Sequence, residues 1–425
     1  MTYDGIQQDD PQIDGLREGG PDPDAVPAAA PQVPQGHVAD GFASVRAEFA
    51  AFLEEERPDY SGQLVVYAGQ EKVVDLWAGP GFGPDSLLGV YSSTKGAAYL
   101  TVALLVQEGV LALDTAVSHY WPEFGAEGKT DVTLGDLLAH RAGVPGVDGG
   151  LSPEELLDEP YIAERLAAQR PYWRPGSAFG YHALVIGALA GEVVRRVTGQ
   201  PLQAVYEERI RAPYDIDFHL GLPEEHEPRV QDIQPMLPTP EQQAELAAAE
   251  TGPESLTGIA FNRNHPQPTD LESLPNSRAV RAAGPASVGG VASARGLAKL
   301  YAAAVSGVDG KGPLLKPSVM AEFAQIRSHG EDLVARFPLA FGAGFHAVGA
   351  LYPALGQGAF GHDGAGGSQA FADPRSGFTY GYARRRYAFP GGPAPENARL
   401  ADAVHRAVTA RRRTGIPAAA GQEGS

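Results

Sequence analysis

The sequence predicts an α+β protein, with one antiparallel sheet built from both chain ends and a mostly helical lobe inserted between them. Three observations lead there. A helical pattern and a strand–turn–strand pattern come first, a long helical block follows, and strands with one helix close the chain. No stretch alternates strand and helix, which argues against a doubly wound parallel sheet. The 425 residues also exceed what one hydrophobic core usually serves, so two lobes are expected. Their boundaries read as 37–91 with 283–412 for the sheet lobe and 92–282 for the helical lobe.

Residues 1–36 are rich in Asp, Pro, Gly and Ala and hold few large apolar side chains. Such a segment cannot offset its ordering entropy by burial, so it reads as a disordered or loosely packed tail. The last residues, 413–425, read as a second flexible tail. From Val38 to Glu55, Phe42, Val45, Phe49 and Phe52 recur at helical spacing. Gln63–Tyr67 and Val73–Trp77 read as strands around a turn at Gly69. A buried helix is expected after Ser92 and should stop at Gly109. Thr133 and Asp136 form a capping pattern that opens a helix from Leu134 to His140. Further helices are expected at 153–169 and from Ala183 to Thr198, with a turn at Trp173–Gly176 between them. The stretch 221–276 is rich in Pro, Glu, Gln and Ala and reads as an irregular excursion with one helix near Glu241–Ala249. A helix near Ala292–Val305 follows, then strands at Leu339–Val348, Gln369–Ala372 and Gly377–Arg384. A final amphipathic helix covers Glu396 to about Arg411.

Composition removes several function classes. The formal net charge of −19 leaves no basic face for nucleic acid. With no cysteine, disulfides, thiolate catalysis and cysteine metal sites are excluded. No apolar run is long enough to span a bilayer, and Met1–Gly5 lacks a signal-peptide pattern. A soluble cytoplasmic protein is the simplest expectation. The histidines show no metal-ligand spacing and no phosphate-binding loop is present, so neither metal nor nucleotide cofactor is expected.

The chemistry concentrates at Tyr91-Ser92-Ser93-Thr94-Lys95. Of the six lysines, only Lys95 has a serine three residues ahead. At the start of a helix that spacing sets the amine one turn in from the hydroxyl, on the same face. The helix end adds unpaired N–H groups and partial positive charge. These are the parts of an activated nucleophile with an oxyanion site. A capping serine followed by a solvated lysine would give the same pattern. Tyr181 lies between a Pro-Gly turn and a long helix, where an amine nearby would let it act as a base, although a half-buried aromatic reads the same way. His362–Ser368 is a glycine-rich edge ahead of a strand and allows close backbone approach by a ligand. Gly366-Gly367-Ser368-Gln369-Ala370 half-resembles a nucleophile elbow, but a strand rather than a helix follows it, so Ser368 is rejected.

Taken together, these motifs resemble the serine β-lactamase and penicillin-binding superfamily, most nearly class C β-lactamases and family VIII carboxylesterases. Ser92-Ser93-Thr94-Lys95 matches the first motif, Tyr181-His182-Ala183 the second, and His362-Asp363-Gly364 the third. Leu137–Gly143, Trp173–Gly176 and Gly361–Pro374 look like that family's scaffold, and the resemblance spans about residues 38–412. It implies a class C β-lactamase-like fold and no cofactor. It implies Ser92 as the acylated nucleophile, Lys95 as its proton partner, and Tyr181 as a base held partly as phenolate by Lys95. The backbone N–H groups of Ser92 and Ala365 would form the oxyanion hole, with His362, Gly364, Tyr91 and His182 around the substrate.

Two departures bear on specificity: Ala183 replaces an asparagine that helps hold a substrate amide, and His362 replaces a lysine that helps bind a carboxylate. The expected activity is therefore hydrolysis of a small carboxylic ester through an acyl-enzyme on Ser92. An acyltransferase using the same acyl-enzyme is the main alternative. A β-lactamase or D,D-peptidase and a non-catalytic binding module stand behind it.

Overall fold

Alternating apolar residues pair into a nine-stranded antiparallel sheet in a computed structural model that describes residues 33–56 and 59–414. Across the sheet the strands run Gln35–Val38, Glu71–Ala78, Gly62–Ala68, Phe378–Arg384, Gln369–Asp373, Phe360–Asp363, His346–Ala347, Pro338–Phe341 and Ser328–Glu331. The two chain ends meet where Gly62–Ala68 pairs with Phe378–Arg384 over seven residues. A second, three-stranded sheet joins Leu88–Gly89, Val291–Ala292 and Phe218–His219.

The period-two pattern sorts side chains onto two cores. Leu64, Val66, Val74, Leu76, Phe371 and Tyr380 face one core, closed by the helices Ala43–Glu55 and Glu396–Thr414. Val65, Tyr67, Ala370 and Ala372 face the other, where the helix Ala294–Val305 covers the sheet. That helix lies close because Gly381 has no side chain: a Cβ there would stand 2.5 Å from both Ala294 O and Ala298 N. Both obstacles are backbone and cannot rotate away. Gly381→Val should therefore destabilise the fold by roughly 1–3 kcal/mol through overpacking, read as a lower urea midpoint with unchanged slope.

Several expectations are corrected. Gln35–Val38 is an edge strand, so the first helix begins at Ala43 rather than Val38. Gly36 makes this possible, since a Cβ at its φ of +98° would stand 2.0 Å from Asp75 O. The rest of both terminal tails lies almost wholly outside the described residues. The helix after Thr133 ends at Leu138, because His140 turns left-handed at φ +62°. The helix expected at 153–169 is a short turn, Glu155–Leu157, followed by the helix Glu159–Ala168 capped by Asp158. The helix expected from Ala183 begins at Ile186. Leu339–Val348 is two strands folded back on each other, and the strands Ser328–Glu331 and Phe360–Asp363 were not anticipated. In the excursion, Pro240–Ala249 is helical behind a Thr239–Gln242 capping box, and a second helix, Leu256–Ala260, follows. No described helix is long and apolar enough to cross a membrane.

Candidate active site

Ser92 lies in a single 3-10 turn, Tyr91–Ser93, that runs directly into the buried helix Thr94–Gln107. The turn needs Tyr91 at φ +47°, an unfavourable conformation for a bulky residue. Its surroundings hold it there. Val90 N–H donates to Gly290 O at 3.0 Å, Gly290 N–H donates to Thr94 Oγ1 at 2.9 Å, and the Tyr91 hydroxyl donates to Glu272 O at 2.7 Å. Strain retained at one turn by many contacts is common at functional sites.

Lys95 is fully buried, with Nζ 3.0 Å from Ser92 Oγ, 2.7 Å from Ala183 O and 2.8 Å from Ser287 O. Burial drives its amine well below the usual lysine range, against a smaller upward pull from Asp363. A neutral amine has two N–H groups and one lone pair. In that neutral form the two carbonyls would take both N–H groups, leaving the lone pair for the Ser92 hydroxyl.

Tyr181 is held by its backbone N–H, which donates to Asp332 Oδ1 at 3.1 Å. Its ring stacks 6.0 Å from Phe341 and 6.0 Å from His362, and its hydroxyl is bonded to Ser92. The Lys95 amine lies 4.9 Å from the ring centroid, over the ring face. Burial lifts the Tyr181 hydroxyl well above its ordinary value; the Ser92 bond lowers it and Asp363 raises it further. Burial thus disfavours the charged form of both groups, which works against the expected phenolate held by Lys95.

The turn Gly364–Ser368 packs directly on the Tyr91–Ser93 turn. Ser368 Oγ donates to Val90 O at 3.0 Å and sits 3.0 Å from Ser93 Oγ. A Cβ at Gly364 would stand 2.3 Å from Val90 O, and one at Gly366 would stand 2.5 Å from the Tyr91 ring. Glycine at both positions therefore lets the two turns meet, which brings Ala365 to the cavity that Ser92 lines. Among the described residues, the Ala365 N–H has no backbone acceptor.

The cavity is about 720 Å³ and is lined by Ser92, Tyr181, His346, Asp363 and Ala365, with Phe261, Leu271 and Phe337 among its apolar walls. Leu246, Ala247 and Ala249 of the excursion also line it. A larger cleft of about 1230 Å³ lies elsewhere, among Leu315, Met320, Ala324 and Phe360, and contains neither Ser92 nor Lys95.

Of the residues expected around the substrate, Tyr91, His182, His362 and Gly364 do not line this cavity. Tyr91 instead ties the Tyr91–Ser93 turn to the excursion through Glu272 O. His182 is buried, with Nδ1 2.7 Å from Gly180 O and Nε2 accepting from Val144 N–H at 3.3 Å; burial lowers it to about 4. His362 lies behind Tyr181 and bonds through Nδ1 to Asp363 O at 2.8 Å. The sequence reading missed His346, Arg263 and Tyr387, which belong to no motif and reach the cavity only through folding. His346, His362 and Asp363 bring ligand-type atoms within 4.8 Å of one another, a cluster that could hold a metal and that the histidine spacing did not foreshadow.

Comparison with known proteins places the chain among β-lactamase-fold proteins. A model of the beta-lactamase family matches residues 45–405. Esterase/beta-lactamase LipL of Mycobacterium tuberculosis is 32% identical over 367 residues, 82% of this chain and 82% of its own length. Among solved structures, EstA from Arthrobacter nitroguajacolicus Rue61a superposes with a TM-score of 0.82 at 42% identity, over 88% of this chain and 98% of its own. A family VIII carboxylesterase superposes at 0.78 with 33% identity, over 88% of this chain and 99% of its own.

Proposed function

Since the chain belongs to the beta-lactamase family, we propose that it is a serine carboxylesterase that hydrolyses small esters through an acyl-enzyme on Ser92. The observation that carries this reading is the Lys95 amine, 3.0 Å from Ser92 Oγ with its N–H groups occupied by two carbonyls. Lys95 takes the Ser92 proton as Oγ attacks the ester carbonyl. The N–H groups of Ser92 and Ala365 receive the developing oxyanion. The proton then passes to the leaving alkoxide, with the Tyr181 hydroxyl between Ser92 and the departing group. Water releases the acid and restores Ser92.

The pocket favours esters over β-lactams. Ala183 carries only a methyl group where the asparagine would stand, it does not line the cavity, and its carbonyl is already taken by Lys95. His362 is buried and held neutral, since burial pushes it well below its usual value, so it cannot pair with a lactam carboxylate. A site without hydrogen-bonding partners for a substrate group loses its discrimination for that group. The measurement is turnover of a p-nitrophenyl ester of a short acid beside nitrocefin. Ready ester hydrolysis with slow or absent nitrocefin turnover is expected. Efficient nitrocefin hydrolysis would overturn the preference.

One observation favours acyl transfer as a second reading. Leu246, Ala247 and Ala249 give the cavity an apolar wall, which suits a bound organic alcohol or amine as acceptor in place of water. If a millimolar alcohol captures the acyl group faster than water in the same assay, the transferase reading wins.

A further inference from the structure

Three buried atoms beside the catalytic cavity have no hydrogen-bond partner among the described residues: His346 Nε2, His362 Nε2 and Asp363 Oδ1. Their side chains are 8%, 1% and 8% exposed. Buried polar atoms are ordinarily paired, so each of these needs an explanation. All three can offer a lone pair, and ligand-type atoms of the three residues come within 4.8 Å of one another. That is the pattern a bound cation completes.

The tautomer of His362 is set by its neighbour. Its Nδ1 lies 2.8 Å from the Asp363 backbone carbonyl, which can only accept, so Nδ1 carries the proton and Nε2 the lone pair. Metal-binding imidazoles are oriented in this way, the second nitrogen donating to a carbonyl or carboxylate. His346 Nδ1 stands 2.9 Å from Asp363 Oδ1, yet Oδ1 accepts no hydrogen bond. Two ligands of one ion, each about 2.1 Å from it and at a right angle, stand about 3 Å apart. Strand pairing holds the arrangement. His346–Ala347 runs against Phe360–Gly361, and the His346 and His362 ring centroids are 4.3 Å apart.

The surrounding charges suit a dication. Asp332 is close enough to His346 to act on its charge and has a buried, unpaired Oδ2 of its own, so two carboxyl groups serve the cluster. Lys95 also reaches His362 electrostatically, but burial favours its neutral form, which weakens its opposition to a cation.

We propose that His346, His362 and Asp363 bind one divalent ion of the zinc class, which enters from the cavity that His346 and Asp363 line. Two imidazoles and one carboxylate suit zinc, cobalt or nickel, whereas calcium and magnesium take oxygen ligands. Ligands about 2.1 Å from an ion stand no more than about 4.2 Å apart across it, so the cluster closes by some tenths of an ångström on binding. The ion then ties His346–Ala347 to Phe360–Asp363 and fixes the two imidazoles on which the Tyr181 ring packs, at 6.3 and 6.0 Å between centroids. It has no part in the acylation of Ser92, so this inference stands apart from the esterase reading.

The test strips the untagged full chain with EDTA, reconstitutes it with zinc, gel-filters it in metal-free buffer and measures its metal content. About one zinc per chain should be retained, and the melting temperature should rise as free zinc passes its Kd, because the ion binds the folded state. In a chelator competition, His362→Gln and Asp363→Asn should weaken zinc binding by roughly 10²-fold or more, since loss of a group that only orients a ligand already costs about 10–100-fold. Where a variant shows no folded melting transition, anomalous diffraction at the zinc edge from parent crystals grown with zinc decides, with a peak expected between the three side chains. Retention of less than about half an equivalent by the parent overturns the proposal. Equal retention by the parent and a folded variant overturns it too, since the zinc then sits on surface histidines such as His119. So does an anomalous peak found only elsewhere.

Discussion

Ser92→Ala should lower kcat by about 10³-fold or more, the loss that follows removal of a nucleophile acting with its base as one unit. The side chain is small and Lys95 keeps its bonds to Ala183 O and Ser287 O, so the variant should fold. A fluorophosphonate should add one label to the parent and none to the variant, read by intact mass. Ser368 is the internal control. It is 5% exposed and bonded to Val90 O and Ser93 Oγ, so it fixes the Ala365 turn rather than meeting substrate. A label that persists at Ser368 in Ser92→Ala would falsify the assignment of the nucleophile.

Lys95→Met and Tyr181→Phe should each collapse the acylation burst, and the double variant should be little worse than the worse single one. Groups that share one proton transfer are non-additive; losses that multiply would mean that the two serve separate steps. The pH profile separates their roles. Lys95 acts as a base only when neutral, so acylation should rise with pH along a limb that reports Lys95 deprotonation. Because burial lowers that pKa, the limb should lie well below the ordinary lysine range. Tyr181, whose hydroxyl burial pushes upward, should add no acidic limb, and Tyr181→Phe should leave the Lys95 limb in place. Stability follows the same linkage. Between the lowered folded pKa and the unfolded lysine value, the unfolded chain binds more protons, so this group makes stability rise with pH across that window. Lys95→Met should flatten the rise. An acidic limb that disappears in Tyr181→Phe but survives in Lys95→Met would reverse the assignment.

Much of this protein is legible in its sequence where physics acts locally. The helix after Ser92 follows from an uninterrupted apolar run, and the Gly62–Ala78 hairpin from two alternating runs around Gly69. The spacing of Ser92 and Lys95 needs only helical geometry to bring amine to hydroxyl, and the observed 3.0 Å contact accords with it. Short strands such as Phe360–Asp363 carry too few residues for a period to show. Their pairing is set by neighbours distant in sequence, which a single chain read in order does not display.

The sequence alone therefore determined the fold class and the order of the motifs, because hydrophobic periodicity and turn residues act over a few positions. The tertiary structure decided the protonation chemistry. Whether Lys95 is charged depends on how completely the carbonyls of residues 183 and 287 and the surrounding core desolvate it, and burial is a property of the packed chain. The same holds for the Tyr181 hydroxyl, which burial pushes upward, against the expected phenolate.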